Sequence, residues 1–491
     1  MDLAALASNL SVTMPLNIVV LTACALLLVD LFIPANRKWL SALFAAAGLA
    51  VAMAFSLVQV GIEIQAFNGM IAVDGFAVFL TLFFLGSGLV GIALAYDYLE
   101  QAGLDTGEYY VLLLFSISGM MLMALAADLI VVFLALELLS FPLYVLAGFA
   151  RPRQDSEEAS LKYFLLGAFS SSFVVYGVAL VFGATGTTSL ASIVAAANGG
   201  SANLTLLAIG AALILIGLGF KVAAVPFHMW TPDVYQGSPS AVTAFMSVGA
   251  KAGGFAALLR VFVVAFPTLT ADFTPVIWTL AALTMILGNV VAIAQSNIKR
   301  LLAYSSIAHA GYILMAVVPF GQQQVVGDAV AAALFYLLAY ALTSFAAWAV
   351  VIAMEKEAGL DPALGSGLAL SDYAGMGRKY PALAAAMAVA MLSFTGVPPT
   401  LGFVGKFYLF RAVLEGGFVG LALIGVLTSL VSAYYYLRVV VIMYMQDGEP
   451  VVRRAPWLYL TAGAAAVGIV ILSIFSVPLF TWASQAVLTM F

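Results

Sequence analysis

The sequence predicts an all-α polytopic membrane protein of about fourteen transmembrane helices. Three observations carry that prediction. Hydrophobic residues make up 64% of the 491 and charged residues only 8%, with a mean hydropathy of +1.13, whereas a soluble domain carries roughly a quarter of its residues as Asp, Glu, Lys or Arg. The apolar residues fall in continuous runs, each near the roughly 20 that a helix needs to cross a bilayer. A β-barrel would instead show alternating polar and apolar segments. Finally, Lys and Arg are confined to every second loop.

The runs lie at about 14–33, 39–60, 74–96, 109–127, 129–150, 159–183, 204–225, 238–266, 274–294, 301–318, 328–353, 382–411, 416–445 and 456–478. Arg37 and Lys38, Arg151 and Arg153, Lys299 and Arg300, Lys356 with Arg378 and Lys379, and Arg453 with Arg454 all occupy odd-numbered loops. Basic loops stay on the cytoplasmic side, so both termini are expected on the opposite, periplasmic side. Arg260 and Arg411, near helix ends pointing the other way, are the exceptions. The N-terminus lacks the basic stretch of a secretory signal, and the run beginning near Pro15 is read as a retained helix.

Several functions are excluded. Cys24 is the single cysteine, and His228 and His309 are the two histidines, so the chain cannot alone ligate an iron–sulfur cluster or a structural zinc. The net charge of −5 is thinly spread and leaves no basic patch for nucleic acid. Gly86-Ser-Gly-Leu-Val-Gly91 matches a dinucleotide fingerprint but lies inside the third span with no preceding strand, where close helix packing explains it. No phosphate-binding loop of the Gly-Lys-Ser/Thr type is present.

Two spans are interrupted at corresponding places in the two halves of the chain. The seventh reads Gly-Phe-Lys-Val-Ala-Ala-Val-Pro-Phe-His-Met-Trp-Thr-Pro from Gly219 to Pro232, and the twelfth reads Thr-Gly-Val-Pro-Pro-Thr-Leu-Gly-Phe-Val-Gly-Lys from Thr395 to Lys406. Proline removes a backbone donor and clashes with the preceding turn. Irregular backbone at membrane depth survives only inside protein or beside a water-filled cavity. Paired interruptions of this kind point to a transporter with its ion site at the breaks.

Glu137, Lys221, Lys251 and Lys406 stand well inside apolar spans. A lysine at a helix centre costs about 2.5–3.5 kcal/mol to insert, so these four are candidates for an ion path, most simply for protons. Glu137 and Lys221 are expected to pair across helices as a proton switch. Lys251, among small neighbours, is the candidate central relay, and Lys406, past the Pro398–Pro399 break, the terminal group. The alternative is static ion pairing or snorkelling. His228 and His309 are either hydrogen-bonded core residues or relays. Lys162 follows Glu158 by four residues, the spacing of a simple helical ion pair, with a structural or gating role.

The segments Leu134–Ser140, Lys162–Gly167, Phe220–Gly237, Ile298–Tyr312 and Gly402–Phe407 resemble the antiporter-like membrane subunits of NADH:quinone oxidoreductase, respiratory complex I. The resemblance is strongest to the subunit N branch, since subunit M carries glutamate where this chain has Lys406. The superfamily also includes multi-subunit sodium/proton antiporters. The resemblance implies two inverted five-helix repeats, helices 4–8 (109–266) and 9–13 (267–445), with broken helices 7 and 12. Helices 1–3 (1–108) would precede them and helix 14 (446–491) follow. It implies that Glu137, Lys221, Lys251 and Lys406 are the proton path, and that FMN, iron–sulfur clusters, NADH and quinone are bound by partner subunits. The partners it implies are subunit M and small membrane subunits such as K and J, in a bacterial inner membrane. The expected function is proton translocation coupled to quinone reduction. A sodium/proton antiporter subunit is the alternative, and a purely structural scaffold a weaker third.

Overall fold

The computed structural model describes residues 3–356, 367–453, 455–486 and 488. Arg454, counted above among the basic loop residues, lies outside them. The helices are α1 (Leu3–Val12), α2 (Met14–Val29), α3 (Trp39–Val58), α4 (Gly75–Gln101), α5 (Gly107–Leu125), α6 (Leu129–Ala147), α7 (Gln154–Thr185), α8 (Leu190–Asn198), α9 (Leu204–Val222) and α10 (Trp230–Gly237). They continue with α11 (Ser240–Arg260), α12 (Thr270–Ile293), α13 (Ile298–Val317), α14 (Val326–Met354), α15 (Met376–Lys379), α16 (Pro381–Thr395), α17 (Leu401–Glu415), α18 (Val419–Met445), α19 (Pro456–Ile474) and α20 (Ser476–Gln485).

Among the described residues, twelve helical segments are long and apolar enough to cross a membrane. They coincide with all the expected spans except the tenth and the twelfth. The tenth is α13, whose Lys299, Arg300, Ser305, Ser306 and His309 dilute its apolar character. It is a helix nonetheless, because almost all of it is packed inside the protein. The twelfth is divided into α16 and α17, of 15 residues each.

Burial sorts the helices. On α7, Leu161, Leu165, Phe169, Tyr176 and Phe182 are all more than half exposed, the face a lipid-contacting helix presents. In α11, by contrast, every residue from Ser240 to Arg260 is buried. It packs against α4, α5, α6, α9, α13 and α14.

The connections join into two separate faces. At one face Arg153 approaches Glu355, Arg300 bonds Asp233, Lys299 bonds the Ser238 carbonyl, Arg438 bonds the Gln295 carbonyl and the Arg453 amide bonds the Ala353 carbonyl. These are odd-numbered connections and the basic end of α18. At the other face Ile71 bridges Ala126, Asp128 bridges Ser189, and Gln322 bonds the Gly416 carbonyl. Asn9 of α1 bonds Phe67 there, and Trp482 of α20 packs on Phe79.

Besides α1 and α20, this second face holds two elements the hydropathy pattern does not show. One is the helix α8. The other is a short antiparallel hairpin, β1 (Ile64–Ala66) with β2 (Ile71–Val73), turned through Phe67, Asn68 and Gly69 at positive φ. Three-residue strands are too short to leave a period-two signature.

Asp74 closes the hairpin and caps α4, accepting from the Ala77 amide at 2.8 Å. Its two oxygens also accept from Arg260 Nη1 and Nη2 at 2.9 and 2.7 Å. Both side chains are almost wholly buried, at 0% and 2% exposure. Arg260 is therefore no stray loop charge but half of a bidentate internal pair. Removing one partner of such a pair leaves the other charged and uncompensated. Asp74→Ala should lower unfolding stability by about 3–5 kcal/mol, read as a large drop in thermal midpoint in detergent. Asp233→Ala breaks partly exposed pairs and should cost about 1 kcal/mol or less.

Candidate functional site

Both expected interruptions are present, and each is closed by a residue in the left-handed region. α9 ends at Ala223 (φ 62°) and α16 at Gly396 (φ 87°). The freed backbone at the first break is satisfied from neighbouring elements. Trp230 Nε1 donates to the Phe220 carbonyl at 3.0 Å, and the Val225 amide donates to Thr284 Oγ1 of α12 at 2.9 Å. At the second break Ser393 Oγ accepts from the Gly402 amide at 3.2 Å. Unwound backbone is thus answered inside the protein, as the membrane interior demands.

Lys221, Lys251 and Lys406 are 4%, 3% and 4% exposed, and each is surrounded in the same manner. Lys221 Nζ donates to Ser140 Oγ of α6 at 2.8 Å and to the Tyr163 hydroxyl of α7 at 3.2 Å, and lies 5.3 Å from the Tyr163 ring centre. Lys251 donates to the carbonyl and hydroxyl of Ser306 on α13 and lies 5.4 Å from the Tyr340 ring centre. Lys406 reaches back across its break to the Phe394 and Thr395 carbonyls at 2.8 and 2.9 Å. It also bonds Ser429 Oγ at 2.7 Å and stands 4.8 Å from the Tyr312 ring centre. Its partners include the orphan carbonyls at the end of α16, where a cation is favoured. None of the three forms an ion pair with a carboxylate within 4.0 Å among the described residues. Neutral oxygens and aromatic faces hold an ammonium without fixing it as one half of a salt bridge. A proton can therefore come and go without an ion pair being broken.

Glu137 departs from expectation. It acts electrostatically on Lys221 but does not touch it, because Lys221 reaches Ser140, most of a turn further along α6. Glu137 is half-buried, beside the exposed Leu134 and Phe141, and its Oε1 has no hydrogen-bond partner.

His309 is drawn into the site and His228 is not. His309 Nδ1 bonds the Tyr336 hydroxyl at 2.6 Å and Nε2 the Tyr436 hydroxyl at 3.0 Å, and Tyr436 in turn bonds Ser305. Ser305, Ser306, His309 and Tyr312 lie on successive turns of α13, so one helix face runs from the Lys251 partner to the Lys406 ring. His228 lies half-buried in the 223–229 break with Nδ1 unpartnered.

Lys162 stands at the basic surface, not in the interior row. It pairs with Glu158 at 2.7 Å as its spacing predicts, and also with Asp233 of α10 at 2.9 Å, whose other oxygen accepts from Arg300 at 2.9 Å. In α10, outside the spanning helices, burial pushes the Asp233 carboxyl up. The hydrogen bonds and charges of Lys162 and Arg300 outweigh burial and hold it below the ordinary aspartate value.

Sequence reasoning missed the neutral partners, Ser140, Tyr163, Ser306, Tyr340, Ser429, Tyr336 and Tyr436. The available signal was the density of hydroxyls in 304–312, Tyr-Ser-Ser-Ile-Ala-His-Ala-Gly-Tyr, too polar for a helix that merely crosses lipid.

A family model described as NADH:quinone oxidoreductase/Mrp antiporter, transmembrane, matches residues 126–432. The chain belongs to that family. The matched region of this oxidoreductase/antiporter family contains Glu137, Lys221, Lys251 and Lys406 together with their partners. The chain is 47% identical over 488 residues to NADH-quinone oxidoreductase subunit N of Chloroflexus aggregans, covering 98% of each. A chain of respiratory complex I from Thermus thermophilus, solved with bound aureothin, is 37% identical with a TM-score of 0.80, covering 95% of this chain and 98% of that one. A chain of the Mrp complex from a Dietzia species shares the fold, with a TM-score of 0.83 at 24% identity, covering 99% of this chain and 97% of its own.

Gly396 tests how tightly the second break is built. A Cβ there would meet Lys406 Cδ at 3.1 Å, at a φ of +87°. Gly396→Ala should cost about 1–2 kcal/mol from the left-handed backbone alone. It should also displace the Lys406 ammonium from the α16 carbonyls. Thermal unfolding of the purified variant reads the first effect, and a structure of it reads the second.

Proposed function

We propose that the chain is the proton-translocating membrane subunit of an NADH:quinone oxidoreductase, of the subunit N type, moving protons as quinone is reduced elsewhere in the complex. One observation carries this reading: three buried lysines held by neutral oxygens, two of them joined by the Ser305–Ser306–His309–Tyr312 face of α13. A scaffold has no need of charges at about 2.5–3.5 kcal/mol each in mid-membrane. A row of groups that exchange protons does.

In this reading Lys221, Lys251 and Lys406 hold the proton in turn, and Glu137 sets the field at Lys221 without touching it. His309, bonded through both ring nitrogens, passes a proton between the Lys251 and Lys406 surroundings. Lys162 acts with Asp233 and Arg300 as a clamp at the basic surface. His228 in the break is a relay only if it turns inward.

The donor set does not suit a metal cofactor, since Cys24 is exposed and both nitrogens of His309 are engaged by tyrosines. In this reading FMN, iron–sulfur clusters and quinone belong to partner subunits, and the membrane neighbours are subunit M and small subunits such as K and J. The membrane would be the bacterial inner membrane, with the basic face cytoplasmic and both termini periplasmic. The helices would form fourteen spans with two inverted five-helix repeats, 109–266 and 267–445, between 1–108 and 446–491.

Lys221→Ala and Glu137→Ala should each lower proton pumping and coupled quinone reduction while NADH oxidation by an artificial acceptor continues. Proteoliposomes containing the whole complex allow both to be measured. Wild-type pumping in both variants defeats the assignment. Isolation of the native chain with other antiporter subunits and without flavin would replace the redox complex by a sodium/proton antiporter.

A further inference from the structure

A second group of buried charge lies at the basic face, outside the lysine row. Glu355, the residue that ends α14, is 5% exposed. Its Oε2 is buried with no hydrogen-bond partner, and its Oε1 stands 3.9 Å from Arg153 Nη1, too far for a hydrogen bond. Arg153 is already committed to Asp155, through Nε at 3.3 Å and Nη2 at 2.8 Å. Lys299, wholly buried in the first turn of α13, donates to the Ser238 carbonyl at 2.6 Å. Lys299, Tyr98 and Tyr373 are among the neighbours of Glu355. Nearby, the hydroxyls of Ser238, Ser240, Tyr109 and Tyr373 are buried and unpartnered as well. Buried polar atoms without partners are rare, and a cluster of them marks a wet or reactive place.

The cluster opens onto α11. Ser240, Thr243, Ser247 and Lys251 follow at intervals of three, four and four residues, all buried on one side of the helix. At 1.5 Å per residue the stripe covers about 16 Å, from the basic face to the central lysine. Thr243 Oγ1 and Ser247 Oγ donate to carbonyls of Tyr235 and Ala244, which leaves their lone pairs free to accept, while Ser240 Oγ has no partner at all.

We infer that Glu355 is the proton-collecting group of this subunit and that the Ser240–Thr243–Ser247 stripe of α11 carries the proton from it to Lys251. The inference rests on the proton-path reading above. Glu355 takes a proton at the basic face and releases it inward, returning to carboxylate. Each hydroxyl then accepts a proton on a lone pair and, at Thr243 and Ser247 turning away from the carbonyl to which it donates, passes its own onward. Neighbouring residues of the stripe have Cβ atoms about 5–6 Å apart, a spacing that one water bridging their hydroxyls would span. Lys251 Nζ receives the proton as ammonium.

The test is the number of protons moved per electron by the whole complex in proteoliposomes. Glu355→Gln should abolish most pumping while electron transfer to an artificial acceptor continues, and Glu355→Asp should restore it. Ser240→Ala discriminates most sharply. The hydroxyl it removes makes no hydrogen bond, so a structural role predicts no change, whereas the entry role predicts a lowered proton-to-electron ratio. If Glu355→Gln prevents assembly, Ser240→Ala still decides. Wild-type ratios in Ser240→Ala, and in Glu355→Gln wherever it assembles, overturn the inference. Wild-type pumping in Lys251→Ala would instead overturn the proton path itself.

Discussion

The structure depends on the complete burial of α11. A helix with no face toward lipid or water must have its charged side chains answered by other parts of the protein. Its neighbours are placed accordingly. α4 brings the Asp74 carboxylate to Arg260, and α13 brings Ser306 to Lys251. α10 supplies the Tyr235 carbonyl to Thr243, and α9 comes close enough at Gly254 that a methyl group there would stand 3.3 Å from Lys221 Cγ. Six helices crowd one helix that carries Lys251, Arg260 and a row of hydroxyls.

The interior charges fall into two chemical kinds. Arg260, which no protein environment deprotonates, is matched by a carboxylate through two hydrogen bonds. The lysines receive hydroxyls, carbonyls and ring faces instead. A bidentate arginine pair fixes geometry, whereas an ammonium among neutral oxygens keeps a choice of protonation states. The same membrane therefore contains charges that hold the fold and charges that can be used, and the identity of the partner separates them.

Much of this was legible in the sequence. Apolar runs and basic residues in alternate loops mark where helices lie, since a bilayer imposes both length and side. Proline beside lysine marks the breaks at 226 and 398. What escaped was rotation about the helix axes. Glu137 and Lys221 look like partners by depth, but Ser140 is the residue turned toward Lys221. Lys299 and Glu355 look like loop charges because they stand at helix ends, and only packing shows that those ends are enclosed. Buried tyrosines such as Tyr336, Tyr340 and Tyr436 look like ordinary bulk in apolar helices until their hydroxyls are seen around His309 and Ser306. Sequence patterning reports which segments cross; it says little about which side chain meets which.

The Asp74–Arg260 pair has a mechanical consequence. It anchors one end of α11 to the cap of α4, while at the opposite end the Ser240 side chain makes no hydrogen bond. With the anchored end as a pivot, α11 would be a lever about 30 Å long. A tilt of about 3° would move Ser240 by about 1.5 Å, roughly half a hydrogen-bond length, and leave Arg260 where it is. Motion too slight to disturb the packing of the bundle would be enough to make or break a contact at the free end.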